Sequence, residues 1–439
     1  MTYKLSNYNF EVEHDEHVLL YNGLSDKLLP VSYEEFSALE TLLEHLDVFE
    51  KMYPDLFNAF KKAGFIIDGD FDELAFIRLQ NKKTVYNNRD YHITINPTLD
   101  CNLKCWYCSV DYAGTKHDKS HMSSETIEAL KNHIMSLIVD RKADSILLDW
   151  FGGEPTMFYD EVIKPISLAI IPEIEKYGIN FKQQITSNGT LFNEERLREM
   201  KEFKFNFFQI STDGNEKQHN KVKYFADKSG SYKKVFENIN LITDILPNAA
   251  VILRINYDKQ TLKNITDIID DLSENSKKRV SVDFQKIWQI KITDKERILL
   301  DEAKKEFEKK GLYSHFWVYK PRRFKRCYSD SFSHYVINYN AKVFKCTARD
   351  YSDNILLGTL MPSGKIEWDK KRQSDYFGYA TFDNPMCEKC KVLPLCMGPC
   401  IQKAYEAKKA GHIPACVLGT PERELPAFII DMAKMRKLI

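Results

Sequence analysis

Between residues 90 and 290 the sequence alternates short apolar runs with longer amphipathic stretches. The candidate strands are Tyr91–Asn96, Ile146–Phe151, Phe181–Thr186, Phe207–Ser211, Val251–Asn256 and Val280–Ile287. Helical patterns such as Glu125–Asp140 and Tyr232–Ile245 lie between most of them. Six strand–helix units predict an α/β fold with a parallel sheet, either open or partly closed as a barrel.

Polar and glycine residues follow four of these predicted strands. They are the cysteine-rich loop 101–108 and the segments Gly152–Pro155, Ser187–Gly189 and Thr212–Gly214. Ligands of parallel α/β sheets bind at the carboxyl ends of the strands. The sequence therefore predicts one functional site at this edge of the sheet.

The ten cysteines are segregated along the chain. Three lie within eight residues, at Cys101, Cys105 and Cys108, and the other seven all follow residue 326. Clustered cysteines in a reducing compartment bind metal or catalyse more often than they form disulfides. Three thiolates on one loop can hold three irons of a [4Fe–4S] cluster and leave the fourth iron without a protein ligand. A four-ligand zinc site completed by His117 or His121 is the alternative.

The second group of cysteines lies in a tail that is poor in apolar runs. Cys387, Cys390, Cys396 and Cys400 follow each other at spacings of two, five and three residues, Cys416 comes later, and Cys327 and Cys346 lie upstream. By spacing alone the group is compatible with a zinc knuckle or with iron–sulfur clusters. A region this irregular is expected to depend on metal for its order.

The cysteine loop after the first strand and the Gly-Gly-Glu-Pro segment after the second resemble the radical S-adenosylmethionine (SAM) superfamily over about residues 90–290. The resemblance implies a partial (β/α)6 TIM-like barrel in which Cys101, Cys105 and Cys108 hold a [4Fe–4S] cluster. SAM would chelate its open iron, and one electron would cleave SAM to a 5′-deoxyadenosyl radical.

The resemblance also implies which residues contact SAM. It places Tyr107 at the SAM pocket, Gly152, Gly153 and Glu154 at SAM's amino group, and Ser187, Asn188 and Ser211 at its ribose or carboxylate. Arg254 either faces SAM's carboxylate or forms a structural ion pair. Without the family resemblance, Gly152-Gly153 is interpreted as a tight turn between a strand and a helix.

The seven later cysteines resemble the SPASM domain, a C-terminal extension with two auxiliary [4Fe–4S] clusters. This implies an outer cluster on Cys387, Cys390, Cys396 and Cys416, an inner one on Cys327, Cys346 and Cys400, and three clusters in all. The inner cluster then has three cysteines, so either another side chain completes it or it keeps an open iron facing substrate. Ala341 stands where that family usually has glycine.

Residues 1–85 have the pattern of a small separate module. A hairpin of residues 8–13 and 17–21 precedes two helices, Tyr33–Leu46 and Pro54–Ala63, and Gly64 is a candidate C-cap. The order resembles the winged-helix-like element with which peptide maturases recognise a leader peptide; a structural domain is the alternative. The predicted plan is a recognition module (1–85), radical SAM core (86–293), linker helix and bridging region (294–326) and SPASM/twitch domain (327–439).

Composition limits the partners. Lys+Arg and Asp+Glu both number 63, which argues against a nucleic-acid or anionic-membrane surface. No apolar run approaches the ~20 residues of a membrane span, and no signal-peptide core is seen, so we expect a soluble cytoplasmic protein. The basic run Lys320–Arg326 either steers an acidic peptide or forms a solvated loop.

These features together predict a radical SAM maturase that acts on a ribosomally made precursor peptide with a leader. A thioether or carbon–carbon cross-link fits best, because every cysteine of the barrel is committed to the cluster and none is left for an epimerase. We expect an electron donor such as flavodoxin or ferredoxin. The alternatives are a small-molecule substrate, a sulfatase-type protein substrate, or a non-catalytic iron–sulfur protein. No catalytic base is identifiable from sequence.

Overall fold

The structure, a computed structural model, describes residues 2–108, 110, 120–291, 293–315, 324–419 and 421–439. These residues form two compact units. Of the described residues, those within 1–87, 317–332 and 374–439 form unit 1, and those within 88–316 and 333–373 form unit 2.

The described strands and helices in chain order are as follows. The strands are β1 Tyr3–Leu5, β2 Asn9–His14, β3 His17–Asn22, β4 Lys27–Ser32, β5 Ile66–Asp68, β6 Asp90–Asn96, β7 Leu103–Lys104, β8 Ser145–Trp150, β9 Asn180–Ser187, β10 Phe205–Thr212, β11 Tyr224–Phe225, β12 Ala250–Tyr257, β13 Val280–Lys286, β14 Tyr313–His315, β15 His334–Asn338, β16 Lys342–Phe344, β17 Gly358–Leu360 and β18 Ile366–Trp368. The α-helices are α1 Tyr33–Glu44, α2 Leu46–Met52, α3 Pro54–Ala63, α4 Glu73–Val85, α5 Ser124–Val139, α6 Lys164–Tyr177, α7 Glu194–Glu202, α8 Glu216–Val222, α9 Tyr232–Ile245, α10 Glu274–Lys277, α11 Asp294–Lys309, α12 Lys370–Phe377, α13 Pro385–Glu388, α14 Leu393–Cys396, α15 Ile401–Lys409 and α16 Pro421–Met435.

Unit 2 is built on an eleven-stranded sheet of order β14-β13-β12-β10-β9-β8-β6-β15-β16-β17-β18. From β14 to β15 each neighbouring pair is parallel, and from β15 to β18 each is antiparallel. The six predicted strands are β6, β8, β9, β10, β12 and β13, which lie side by side. The predicted α/β class with a mostly parallel sheet is therefore confirmed.

Side chains of the parallel strands alternate between an apolar and a polar face. On β12, Val251, Leu253 and Ile255 join the apolar core with the helices, whereas Arg254 and Asn256 on the opposite face are half-buried. This alternation places polar groups on the face of the sheet opposite the apolar core, which we call the inner face. On β12 these groups lie near the carboxyl edge, where the loops begin.

The sheet extends beyond the six predicted strands at both edges. Helix α11, which we predicted as a linker, packs Leu300 and Phe307 into the core of unit 2 and is followed by β14, the partner of β13. At the other edge β15 pairs with β6, although about 240 residues separate them, because His334–Asn338 aligns with His92–Asn96.

The N-terminal part of unit 1 contains a three-stranded antiparallel sheet of order β2-β3-β4. The predicted hairpin is present as β2 and β3, whereas β4 was not predicted. Helix α1 ends at Glu44, earlier than predicted, and α2 begins at Leu46 after His45. Gly64 caps α3 in the left-handed conformation (φ +84°), as predicted.

The two faces of this small sheet pack against different parts of unit 1. Val18, Leu20 and Val31 face the core formed with α1–α3. Val12, Leu19 and Tyr21 face a second core that includes Leu395, Cys396 and residues of α16. The N-terminal sheet and the cysteine-rich tail therefore share one apolar core. Within the described residues, no helix is both long and apolar enough to cross a membrane.

Candidate active site

The cysteine loop follows β6 at the carboxyl edge of the sheet. Its residues Leu103–Lys104 form β7, which pairs with β11. The Sγ of Cys101 accepts from the backbone N–H of Leu103 (3.4 Å) and from Nδ2 of Asn188 (3.5 Å). Burial raises the pKa of Cys101 to about 11 and raises that of Cys105 further, and neighbouring thiols add to both shifts. Partly buried thiols on one loop, with N–H donors to Cys101, fit an iron–sulfur cluster, whose binding displaces their protons.

The glycine pair after β8 lies directly against this loop. The N–H of Gly153 donates to the Thr98 carbonyl (3.0 Å), and the N–H of Glu154 donates to the Asp100 carbonyl (2.8 Å). A Cβ on Gly152 would lie 2.3 Å from the Thr98 oxygen, and one on Gly153 would lie 2.0 Å from the Asp100 oxygen. Both positions therefore require glycine, since only glycine permits this close approach of two backbones.

Glu154 is completely buried and connects the loops after β8 and β9. Its Oε1 accepts from the N–H of Thr156 (3.1 Å), from the Thr156 hydroxyl and from Ser187 Oγ (2.9 Å), and its Oε2 accepts from the N–H of Asn188 (2.7 Å). Burial raises the pKa of Glu154, while these donors act in the opposite direction. In this structure the carboxylate organises the loops; its contact with SAM's amino group stays a prediction.

Asn188 joins the loop after β9 to the cysteine loop. Besides Cys101, its Nδ2 donates to Asn102 Oδ1 (2.8 Å), and its Oδ1 accepts from the N–H of Thr190 (3.0 Å). Asn102 in turn donates a hydrogen bond to the Thr190 hydroxyl (2.9 Å). Asn188 therefore holds the cysteine loop through its side chain.

Tyr107 lies at the centre of a polar network. Its hydroxyl donates to Asp213 Oδ1 (2.5 Å) and accepts from Asn256 Nδ2 (3.0 Å), and its carbonyl accepts from Gln289 Nε2 (2.9 Å). Asp213 is fully buried and forms an ion pair with Lys223 (3.2 Å), which is also buried. Burial raises the pKa of Asp213, and Lys223 opposes this shift.

Ser211 and Arg254 are register partners on adjacent strands and face the same side of the sheet. Ser211 Oγ accepts from Lys223 Nζ (2.7 Å). Arg254 donates from Nε to Asn256 Oδ1 (3.3 Å) and makes no ion pair within the part of the chain that the structure describes.

Asp213, Lys223, Asn256 and Gln289 were not among the predicted site residues. Only Asp213 carried a sequence signal, as part of the Thr212–Gly214 segment after a strand. Lys223, Asn256 and Gln289 belong to three different parts of the chain, and their relation to Tyr107 exists only in three dimensions.

In unit 1, four cysteines line one small apolar cavity. They are Cys387, Cys390, Cys396 and Cys416, and apolar residues such as Val392 and Leu418 complete the lining. Arg326, from the predicted basic run, places Nη1 3.9 Å from Cys396 Sγ; residues 320–323 of that run lie outside the described residues. Four thiols around one apolar cavity fit the predicted outer cluster set.

The predicted inner set is distributed over both units. Cys327 and Cys400 belong to unit 1, and Cys346 belongs to unit 2. Buried Asp330 accepts from the N–H of Cys327 (2.8 Å) through Oδ2 and from the N–H of Ile401 (2.9 Å) through Oδ1. Asp330 therefore positions the segments that carry Cys327 and Cys400, and the inner cluster itself stays a prediction.

Among the residues that the structure describes, no group of three or more His, Cys, Asp or Glu side chains is arranged for a single metal ion. A cubane cluster presents a separate iron to each thiolate, so this finding concerns single-ion sites. Of the two candidate zinc ligands, His121 stacks on Phe158, and His117 lies outside the described residues.

Residues 95–272 match the protein family described as the Radical SAM superfamily. This segment holds the cysteine loop, the glycine pair, Asp213 and Lys223. This segment of the chain therefore matches the radical SAM class, as predicted from Cys101, Cys105 and Cys108.

Two curated relatives share part of this region. The cysteine-type anaerobic sulfatase-maturating enzyme of Clostridium novyi is 30% identical over 152 residues, which are 33% of this chain and 37% of that protein. The Fe-coproporphyrin III synthase of Methanosarcina barkeri is 28% identical over 189 residues, 42% of this chain and 41% of that protein. The chain spans less than half the length of these relatives.

Solved structures extend the likeness in fold. Native anSMEcpe with bound AdoMet aligns with a TM-score of 0.60 at 19% identity, covering 78% of this chain and 99% of that one. Streptococcus suis SuiB bound to the precursor peptide SuiA aligns with a TM-score of 0.54 at 15% identity, covering 94% and 98%. At these identities the likeness shows a shared fold.

Proposed function

We propose that this chain is a radical SAM enzyme that modifies a ribosomally made peptide, with a thioether or carbon–carbon cross-link as the expected product. One observation carries the chemistry: three thiols lie on a loop whose backbone and side chains are fixed by Gly153, Glu154 and Asn188. When bound there, a [4Fe–4S] cluster and SAM supply one-electron cleavage of SAM and hydrogen abstraction from substrate.

The residues of this chain orient the cofactor and shape the site. Cys101, Cys105 and Cys108 would hold three irons. The glycine pair lets the loop after β8 pack closely against residues 98–100, and Ser211, Arg254 and Asn256 present polar groups on the inner face. Cys387, Cys390, Cys396 and Cys416 would hold a second cluster, and Cys327, Cys346 and Cys400 would contribute to a third.

A peptide substrate is supported by the N-terminal sheet of unit 1. Strand β4 is an edge strand, and an added peptide strand would bind it through main-chain hydrogen bonds. Pro30 has no N–H, and the N–H of Ser32 donates to Glu35 (2.8 Å), so pairing would use the segment Lys27–Leu29. The fold is shared with SuiB, whose structure contains a precursor peptide.

The chemistry is tested by anaerobic reconstitution followed by an assay of 5′-deoxyadenosine from SAM and reductant. The wild type should bind about twelve irons, and the Cys101, Cys105, Cys108→Ala variant about eight, without SAM cleavage. Zinc in place of iron, or no SAM cleavage by the fully loaded wild type, would leave a non-catalytic metalloprotein.

The substrate class is tested separately by adding short peptides encoded beside the gene to the full chain. Binding should slow amide hydrogen exchange at Lys27–Leu29, and incubation with SAM should give a product with altered mass. SAM cleavage that no peptide changes would favour a small-molecule substrate, and reaction with a folded sulfatase would favour the sulfatase-type alternative.

A further inference from the structure

A buried ammonium group connects two parts of the proposed SAM site. Lys223 follows α8, and its side chain is 4% exposed, while that of its partner Asp213 is 1% exposed. Charged groups this deeply buried are rare unless they are paired, because removal from water costs several kcal/mol per ion. The contacts of Lys223 with Asp213 and Ser211 therefore offset the cost of burying its charge.

The ammonium group of Lys223 contacts two side chains that belong to different parts of the proposed site. Its Nζ donates to Ser211 Oγ at 2.7 Å and lies 3.2 Å from Asp213 Oδ2. Asp213 in turn accepts from the hydroxyl of Tyr107, which lies between Cys105 and Cys108 in the loop. One ammonium therefore contacts an inner-face hydroxyl directly and the cysteine loop through a carboxylate.

The contact with Ser211 leaves the serine O–H available as a donor. A hydroxyl has one O–H donor and two lone pairs, and Lys223 occupies a lone pair. Among the described residues, the Ser211 O–H has no acceptor. Its register partner Arg254 also retains guanidinium N–H groups without an acidic partner in the described residues. Two sets of donors on the same face fit an anionic ligand group such as a carboxylate.

We propose that Lys223 is a positioning residue for SAM: it directs the Ser211 hydroxyl toward the carboxylate of SAM and, through Asp213 and Tyr107, fixes the cluster loop that holds the same molecule. The inference rests on the proposed function, because it concerns how SAM is bound. It assigns to Lys223 a role that no sequence motif indicated.

The test compares Lys223→Met and Lys223→Gln with Lys223→Arg in the reconstituted full chain. The matched control is Lys221→Met, since Lys221 lies on α8 and is exposed. Three quantities are measured: iron per chain, the dissociation constant of SAM, and the change that SAM causes in the electron paramagnetic resonance spectrum of the reduced cluster. The Lys223→Gln variant is paired with Lys223→Met because the glutamine amide can still donate to Ser211, whereas methionine cannot.

We expect Lys223→Met to retain its iron, to bind SAM at least ~10-fold more weakly, and to lose most of the SAM-dependent spectral change. Lys223→Gln should lie between this variant and the wild type, Lys223→Arg should recover most of the affinity, and Lys221→Met should match the wild type. Wild-type SAM affinity in iron-loaded Lys223→Met overturns the inference. Loss of iron in both Lys223→Met and Lys223→Gln also overturns it, because weaker SAM binding would then follow from loss of the cluster and not from loss of the Ser211 contact. If the wild type itself does not bind SAM, the proposed function fails instead.

Discussion

The cysteine loop of unit 2 and the four-cysteine cavity of unit 1 are held in different ways. The loop is fixed by the polar contacts of Gly153, Glu154 and Asn188. The cavity is lined mainly by apolar side chains, and Cys416 lies in a segment without regular structure. The comparison indicates that the fold preorganises the first site, whereas the second would depend more on the proposed cluster for its order.

The largest effect is expected from Gly153→Ala, because this substitution disturbs a contact that holds the preorganised cysteine loop. Its Cβ would lie 2.0 Å from the Asp100 carbonyl oxygen, so the two loops must separate. We expect about four fewer irons per chain and no SAM cleavage, as measured by iron analysis and 5′-deoxyadenosine assay.

The matched control for this variant is Gly178→Ala. Gly178 has φ +65°, and no atom lies within 4 Å of the position that an added methyl group would take. Alanine there should therefore cost only about 1 kcal/mol of backbone strain and no iron. If the Gly153→Ala variant binds as much iron per chain as the wild type, the cysteine loop is less rigid than its comparison with the four-cysteine cavity requires.

A second, smaller effect is expected from replacing both Cys387 and Cys390 by Ala. The shared core joins Leu395 and Cys396 to Leu19 and Tyr21, so loss of metal should loosen the N-terminal sheet. Amide hydrogen exchange should accelerate in β2 and β3 and stay unchanged in β8–β10. Unchanged exchange in β2 and β3 would mean that apolar packing alone orders this region.

Asp330→Asn should have an intermediate effect confined to the segments of Cys327 and Cys400. An amide offers one carbonyl oxygen, so it cannot replace the two carboxylate oxygens that accept from the Cys327 and Ile401 N–H groups. We expect a loss of about 1–3 kcal/mol in the free energy of unfolding and partial loss of iron. Exposed Asp350→Asn is the control, and an equal loss in both variants would contradict the role of Asp330.

The smallest effect is expected from Arg78→Gln. Arg78 pairs with Asp383 (3.3 Å) and Glu388 (2.6 Å), but all three side chains are about one-third exposed. Such pairs contribute about 1 kcal/mol or less and weaken in salt. Chemical unfolding at low and high salt measures this contribution. If Arg78→Gln lowers the free energy of unfolding more than Asp330→Asn does, the contacts of Asp330 are not the more important of the two for unit 1.

Local patterns were sufficient to predict much of unit 2. Strands β6 and β12 lie where apolar runs predicted them, and the cysteine spacing identified the loop after β6. The need for glycine at residue 153 was less visible, because a glycine pair after a strand also fits an ordinary turn. Only the distance to the Asp100 carbonyl distinguishes the two interpretations.

Two of the missed features depend on contacts between distant parts of the chain, and one has a local cause. Strand β4 was missed because Pro30 interrupts the strand pattern, yet an edge strand tolerates proline, which has no N–H to donate. The pairing of β15 with β6 and the ion pair of Lys223 with Asp213 leave no periodic signal in the sequence.

By itself the sequence determined the α/β class, the parallel strands and the loop that carries Cys101, Cys105 and Cys108, because periodicity and spacing are local properties. The tertiary structure alone decided that the N-terminal sheet shares a core with the cysteine tail, that Glu154 binds loop atoms, and that Lys223 joins Ser211 to Asp213. The physical reason is that burial and ion pairing depend on which distant residues become neighbours, and that is fixed only when the whole chain packs.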